Sequence, residues 1–180
     1  MREALTADSL QSFMKALAID ARTPGRIYLV GGASAVLLGW RNSTIDVDLK
    51  IIPESDQILR ALPRLKERLH INIELASPDD FIPELPGWQE RSRFIQQESK
   101  LSFYHYDFYA QALAKIERGH GRDSNDVNQL IESGAVEVNR LWELFNTIKG
   151  QIYRYPDLDA DAFERAVKRV VKKFSGMPDN

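Results

Sequence analysis

The feature that most constrains this chain is a strict alternation of apolar and polar residues at 45–51. In Ile-Asp-Val-Asp-Leu-Lys-Ile every second side chain is apolar, and a β-strand is the regular structure with that period. A second alternating run, Ile-Asn-Ile-Glu-Leu, follows at 71–75. The N-terminal half therefore predicts a sheet with one apolar and one polar side.

Helical patterns surround these strands and dominate after residue 107. Apolar spacing predicts helices at 8–19, 55–69, 108–118, 124–133, 137–149 and 160–174. Asp8 is the expected cap of the first helix, and Pro63 is expected to kink the second or to open a new one. A short strand at 27–30, a loop at Pro78–Pro86 and a hairpin within 91–106 complete the prediction.

These elements predict a mixed α/β (α+β) fold, in which helices flank a small mixed sheet and the C-terminal half is helical. We expect an α/β core at 1–107 and a helical region at 108–180 packed against it. The chain length of 180 residues suits either one compact body or two closely packed lobes.

Composition excludes several classes of protein. Hydrophobic residues make up 43% and charged residues 28%, as in ordinary globular proteins. The chain has no cysteine and three histidines, which excludes disulfides and makes a zinc site improbable. No apolar run approaches a membrane span, and the first residues lack the pattern of a secretory signal, so we expect a cytoplasmic protein without membrane contact. The net charge of −2 means that a nucleic-acid substrate would need a local basic patch.

A glycine pair separates the strand at 27–30 from a short helix predicted at 33–38. Gly31 and Gly32 allow the backbone to approach a phosphate closely, and the N–H groups and dipole of the following helix favour that anion. Ser34, in the first turn of this helix, can offer a hydroxyl to the same phosphate.

Two carboxylates follow the glycine pair at a spacing of two residues. In a strand, this spacing puts Asp46 and Asp48 on one face while Val47 and Leu49 enter the core. Paired carboxylates suit Mg²⁺ (or Mn²⁺), which prefers oxygen ligands and binds the phosphates of a nucleoside triphosphate such as ATP.

The acidic spacing alone has little specificity. It recurs at Glu54/Asp56, Asp157/Asp159 and Asp159/Asp161. What distinguishes Asp46 and Asp48 is the alternating strand around them and the glycine pair just before. The alternative is a half-exposed strand with a solvated acidic face.

The glycine pair with Asp-x-Asp on the next strand resembles the signature of the polymerase-β-like nucleotidyltransferase superfamily. The resemblance extends to a bacterial group related to abortive-infection nucleotidyltransferase toxins. Their extended metal-binding block is similar to Arg41-x-Ser43-Thr44-x-Asp46-x-Asp48, and their helical motifs resemble Ala112-Leu113-Ala114-Lys115 and Arg122-Asp123-x-x-Asp126. Most of residues 27–131 are covered.

This resemblance implies further site residues. Arg41 and Thr44, within the extended metal-binding block, would help to bind the nucleotide, and Lys115 would pair with the triphosphate. Asp123 would lie near the nucleotide or pair with Arg122, although it also suits the cap of helix 124–133.

A third carboxylate commonly joins the pair in this superfamily. Glu74 is the candidate, because it shares the polar side of its strand with Asn72. It would complete the metal site or accept a proton, and the alternative is a solvent-facing glutamate opposite a buried Ile73.

The leading hypothesis is a Mg²⁺-dependent nucleotidyltransferase that acts on a macromolecular acceptor. The resemblance suggests the toxin of a toxin–antitoxin pair, with tRNA or a protein as acceptor and an antitoxin as partner. A catalytically silent nucleotide-binding or interaction module is the alternative. A two-metal nuclease is less favoured because of the glycine pair and the absence of a histidine or lysine beside the acids.

Overall fold

A computed structural model describes residues 3–176. These residues form two compact units. The first comprises the residues up to Ser77 together with Ser92–Tyr106, and the second comprises Pro78–Arg91 together with the residues from Asp107 onward. The division into domains at residue 107 stays a prediction, since compactness alone does not establish that a part folds independently.

The first unit contains a five-stranded mixed sheet with helices, which confirms the predicted fold class. Its strands lie in the order β3-β2-β1-β5-β4. The elements are α1 (Ala7–Ile19), β1 (Gly25–Val30), α2 (Gly31–Leu37), β2 (Asp46–Ile52), α3 (Asp56–Leu69), β3 (Asn72–Leu75), β4 (Arg93–Glu98) and β5 (Leu101–His105).

The alternation at 45–51 becomes the alternating burial of β2. Val47, Leu49 and Ile51 are buried, whereas Asp46, Asp48 and Lys50 are half-buried on the other face. The buried face joins a core that includes Phe13, Met14 and Leu17 of α1, Ile58, Leu62 and Leu65 of α3, and Ile27, Leu29, Ile73 and Phe103 of the other strands. Burial of this face fixes the register of β2, because a shift by one residue would turn the carboxylates into the core.

The strand pairings place the two alternating runs side by side. β2 runs antiparallel to β1 and parallel to β3, and β5 pairs with β1 in parallel and with β4 as a hairpin. At the start of β2 and β3, a short N-terminal segment is hydrogen bonded to both. Leu5 exchanges backbone hydrogen bonds with Thr44, and the N–H of Glu3 donates to the carbonyl of His70.

The structure corrects four local predictions. Thr6 caps α1 instead of Asp8, because Thr6 and Ser9 form a reciprocal capping box. Helix α2 begins at Gly31, so the glycine pair forms its first turn. Pro63 lies inside the single helix α3, so it does not open a second helix, whereas the alternative of a kink stays a prediction. The segment Pro78–Pro86 is not wholly loop, since Pro78–Asp80 form a 3₁₀ turn.

The second unit is helical. It contains α4 (Trp88–Arg91), α5 (Phe108–Arg118), α6 (Gly121–Glu132), α7 (Val138–Ile148), a 3₁₀ segment (Lys149–Arg154) and α8 (Ala160–Ser175). Helix α5 contacts α6, α7 and α8. Between α7 and α8, the ring centroids of Phe145 and Phe163 are 5.0 Å apart. Within residues 3–176, no helix is both long enough and apolar enough to cross a membrane.

Candidate functional site

Asp46 and Asp48 lie on the same face of β2, beside the strand that leads into the glycine pair. Asp48 stands opposite Val30, the last residue of β1. On the other side, Asp46 stands opposite Asn72 and Asp48 opposite Glu74. The structure therefore brings the paired carboxylates and the candidate third carboxylate to one region of the sheet.

Gly31 directly adjoins the carboxylate of Asp48. Its φ of +60° lies in the left-handed region, which side chains rarely adopt and glycine adopts freely. A Cβ atom at Gly31 would lie 3.7 Å from Oδ2 of Asp48. Gly31 and Asp48, which are 17 positions apart in sequence, are thus neighbours in space.

Gly32 is required for a different reason, which is space. A Cβ atom there would overlap Oγ1 of Thr44 and would lie 2.9 Å from the Cβ of Thr44. Nη1 of Arg41 would be 3.6 Å away. Arg41 and Thr44, which the resemblance places in the extended metal-binding block, therefore lie beside the glycine turn.

Thr44 also joins the turn to the start of β2. Its Oγ1 donates to the carbonyl of Asp46 at 3.3 Å, and its backbone is held by Leu5. The position of Thr44, whose side chain packs against Gly32, is consequently fixed by hydrogen bonds to the backbone of Leu5 and of Asp46.

Asn72 is a residue that the sequence interpretation did not select. Its Nδ2 donates to Oδ1 of Asp46 at 2.7 Å and to Oε1 of Glu74 at 2.8 Å. This amide holds two carboxylates that would otherwise repel each other. The available signal was that Asn72 shares the polar side of β3 with Glu74, but only the register shows that it faces Asp46.

Glu74 stands in register with Asp48, yet it is exposed and bonded to Asn72. Within residues 3–176, no three His, Cys, Asp or Glu side chains form a group that could hold a metal ion. The three carboxylates share a face without converging on one point.

Ser34 differs from its predicted role as a phosphate ligand. It is buried, and its Oγ lies 2.6 Å from Nδ1 of His105 on β5. Burial, followed by the charge of Arg93, lowers the pKa of His105 to about 4, so the ring is neutral near pH 7. This buried contact fastens α2 to β5.

Lys115 and Asp123 lie in the second unit, where each has a side-chain partner. Lys115 Nζ is 2.8 Å from Oδ2 of Asp126 and 3.8 Å from Oδ1 of Asp123. Asp123 does not pair with Arg122 as the resemblance suggested; it accepts two hydrogen bonds from Arg118, at 2.6 and 2.9 Å. These contacts give both residues a structural role within the unit.

Asp123 is also not the residue that precedes its helix. Helix α6 begins at Gly121, and the Asp123 carboxylate accepts from the N–H of His120 inside the first turn. Burial raises the pKa of Asp123, but the hydrogen bonds and charge of Arg118 and the charge of Lys115 outweigh it, so the pKa lies below its usual value.

The residues of the first unit suit a divalent metal bound together with phosphate. Asp46 and Asp48 offer oxygen atoms on one face, which Mg²⁺ prefers, and Mg²⁺ commonly uses one or two carboxylates while water and phosphate supply its other ligands. Because Gly31 has no side chain, the space next to Asp48 is open, and a phosphate can approach the backbone there.

Comparison with known proteins gives one family. Residues 8–175 match the model of a family described as nucleotidyltransferase of unknown function (DUF6036). No curated protein matches the chain. No solved structure matches it either. Because the match spans nearly the whole chain, the protein belongs to the DUF6036 nucleotidyltransferase family.

Proposed function

We propose that this protein is a cytoplasmic, metal-dependent enzyme that transfers a nucleotidyl group from a nucleoside triphosphate to an acceptor hydroxyl. The observation that carries the proposal is the contact between the glycine turn and the acidic pair. A Cβ at Gly31 would lie 3.7 Å from the Asp48 carboxylate, so a phosphate bound at the turn would be adjacent to a metal-binding oxygen. The description of the family supports the same reaction class.

Asp46 and Asp48 would hold Mg²⁺ or Mn²⁺. When bound, the ion would neutralise charge on the phosphates. Gly31 and Gly32 would bind phosphate oxygens through the backbone, and Arg41, beside Gly32, would add a guanidinium suited to phosphate. Thr44 would support this arrangement by packing against Gly32.

The reaction joins the acceptor oxygen to the α-phosphorus. The bond between the α- and β-phosphates breaks, pyrophosphate leaves with its electron pair, and the acceptor proton passes to a base. Glu74 is our candidate for that base, because it is exposed and lies in register with Asp48 on the neighbouring strand. The protein contributes mainly by positioning the reactants and by charge stabilisation.

The resemblance extends the proposal to the biological setting. It suggests ATP or another triphosphate as donor, tRNA or a protein as acceptor, and a toxin that is neutralised by an antitoxin. The resemblance also assigns Lys115 and Asp123 to nucleotide binding, although both are engaged in ion pairs within the second unit. Ser34 is left out, because its hydroxyl is bonded to His105.

Calorimetric titration with each of the four common nucleoside triphosphates, with and without Mg²⁺, tests the metal site. We expect Mg²⁺-dependent binding that weakens at least tenfold, about 1.4 kcal/mol, in the double variant Asp46→Asn/Asp48→Asn. The matched control is Glu54→Gln/Asp56→Asn, an exposed pair with the same spacing, which should bind like the wild type.

Equal binding by wild type and Asp46→Asn/Asp48→Asn, with and without the ion, would refute the metal site. Incubation of the protein with labelled triphosphates and a cell extract then tests transfer. Metal-dependent binding without any labelled product would favour the silent nucleotide-binding module.

A further inference from the structure

The exposed face of α8 carries a continuous row of cations. Arg165, Lys168, Arg169, Lys172 and Lys173 are all exposed, and their spacing of three and four residues puts them on one side of the helix. Phe163 and Val167 are buried on the opposite side. We call the five cations the basic stripe; it spans about 12 Å at 1.5 Å per residue.

This stripe is a local concentration of charge in an acidic protein. Helix α8 has five basic and two acidic residues, while the whole chain has 24 basic and 26 acidic. The rest of the chain is therefore left with 19 basic and 24 acidic residues. A positive surface of this kind attracts anions although the molecule as a whole repels them.

Most of the stripe is not neutralised by the protein. Lys168 pairs with Glu164 at 3.0 Å, and Lys173 donates to Asn128 at 3.1 Å. The side chains of Arg165, Arg169 and Lys172 have no hydrogen bond or ion pair with any of the described residues 3–176. Three cations within about 10 Å are thus left available to a ligand.

A cleft of about 280 Å³ adjoins the stripe and shares two of its cations. Arg169 and Lys173 line it together with the polar side chains of Ser124 and Asn128. The acid in its lining, Asp123, is already paired with Arg118. The cleft offers cationic and neutral hydrogen-bonding groups, which suits a phosphate group that projects from a larger ligand.

We propose that the basic stripe and the adjoining cleft bind the phosphate backbone of a nucleic-acid strand. A row of cations matches a row of phosphates in charge and in extent. A membrane-binding helix would need bulky exposed apolar residues beside its cations, and the large exposed hydrophobic residues of the described chain, Ile19, Ile45, Leu75, Phe81, Phe94 and Tyr153, all lie outside α8. A protein partner is also disfavoured, because protein interfaces depend on aromatic or aliphatic anchors and the described helix α8 exposes no large hydrophobic residue.

The test measures binding of a labelled single-stranded RNA, and of its DNA counterpart, by fluorescence anisotropy at several salt concentrations. Three phosphate contacts, one for each cation whose side chain has no partner, predict a slope of log K against log[salt] of about −2, and contacts by all five cations predict about −3.5. The variant Arg165→Gln/Arg169→Gln/Lys172→Gln should lower the size of the slope by about 2 and should weaken binding about a hundredfold at 0.1 M salt. The charge-conserving variant Arg165→Lys/Arg169→Lys/Lys172→Arg should retain both.

The matched control removes the same charge from α3 in the first unit, as Arg60→Gln/Lys66→Gln/Arg68→Gln. We expect wild-type RNA binding from this control and from Asp46→Asn/Asp48→Asn, so this proposal and the proposed reaction fail separately. An α3 control that loses as much binding as the α8 variant would overturn the proposal, as would an unchanged salt slope in the α8 variant. So would a wild-type protein that binds anionic lipid vesicles or acidic peptides but no nucleic acid.

Discussion

The substitution Gly32→Ala tests whether the glycine turn has the tight geometry that the site requires. The added methyl group would overlap Oγ1 of Thr44 and lie 2.9 Å from its Cβ. Overpacking of this kind costs about 1–3 kcal/mol. For a chain of this length, that corresponds to a fall in Tm of roughly 2–12 °C.

Two other glycine-to-alanine variants show whether the stability lost in Gly32→Ala comes from the clash with Thr44. Gly150 has no atom within 4 Å of its Cβ position and no positive φ, so Gly150→Ala should be neutral or slightly stabilising. Gly31→Ala should cost about 1–2 kcal/mol through its positive φ, although its Cβ would meet only Oδ2 of Asp48 at an ordinary distance.

A double-mutant cycle with Thr44→Gly assigns the clash to its partner. Removal of the Thr44 side chain should reduce the cost of Gly32→Ala. The double variant should therefore lose at least about 1 kcal/mol less unfolding free energy than the two single variants lose together. The same change should leave the cost of Gly31→Ala nearly unaltered. Unfolding in urea, followed by circular dichroism, measures all these variants. Additive effects of Gly32→Ala and Thr44→Gly, or a Gly32→Ala protein as stable as wild type, would refute the steric argument.

Two further predictions concern titratable groups. Because the pKa of His105 is lowered from 6.5 to about 4 in the folded protein, the unfolded chain binds the proton first as pH falls; stability should therefore drop by about 3 kcal/mol between pH 6.5 and 4. A ¹H–¹³C NMR titration should show a midpoint near 4 for the ring that disappears in His105→Asn, and that variant should lose this part of the pH dependence; a midpoint near 6.5 would contradict the buried assignment. For Asp123, whose pKa is lowered in the folded state, the pairing stabilises the protein above its unfolded pKa and is lost as pH falls through the folded value. Arg118→Gln should cost about 1–3 kcal/mol at pH 7, and urea unfolding should show this cost shrinking as the pH falls through the folded-state pKa of Asp123; a cost that does not change with pH would exclude the ion pair as its source.

Local patterns predicted the parts of this structure that depend on short sequence distances. The alternation at 45–51 gave the strand and the shared face of Asp46 and Asp48, since burial of every second residue leaves one register. The hairpin of β4 and β5 and the helices of the C-terminal half follow from the same kind of periodicity. In each case the decisive interactions lie within a few residues of each other.

The site details that were missed depend on partners far apart in sequence. The bond between Ser34 and His105 spans 71 positions, and that between Asn72 and Asp46 spans 26. No local rule states which hydroxyl will be buried against which ring. The cap of α1 was missed for a different reason, because Asp8 and Thr6 are both good capping residues and only the reciprocal bond with Ser9 distinguishes them.

The N-terminal segment gives the acidic face an attachment outside the sheet itself. Glu3 is hydrogen bonded to the backbone just ahead of β3, and Leu5 is hydrogen bonded to the backbone just ahead of β2. Loss of this segment would remove three backbone hydrogen bonds just ahead of the two strands. The starts of β2 and β3 would then be held by their own pairing and by the Asn72 amide, so the acidic face would lose the support that reaches it from outside the sheet.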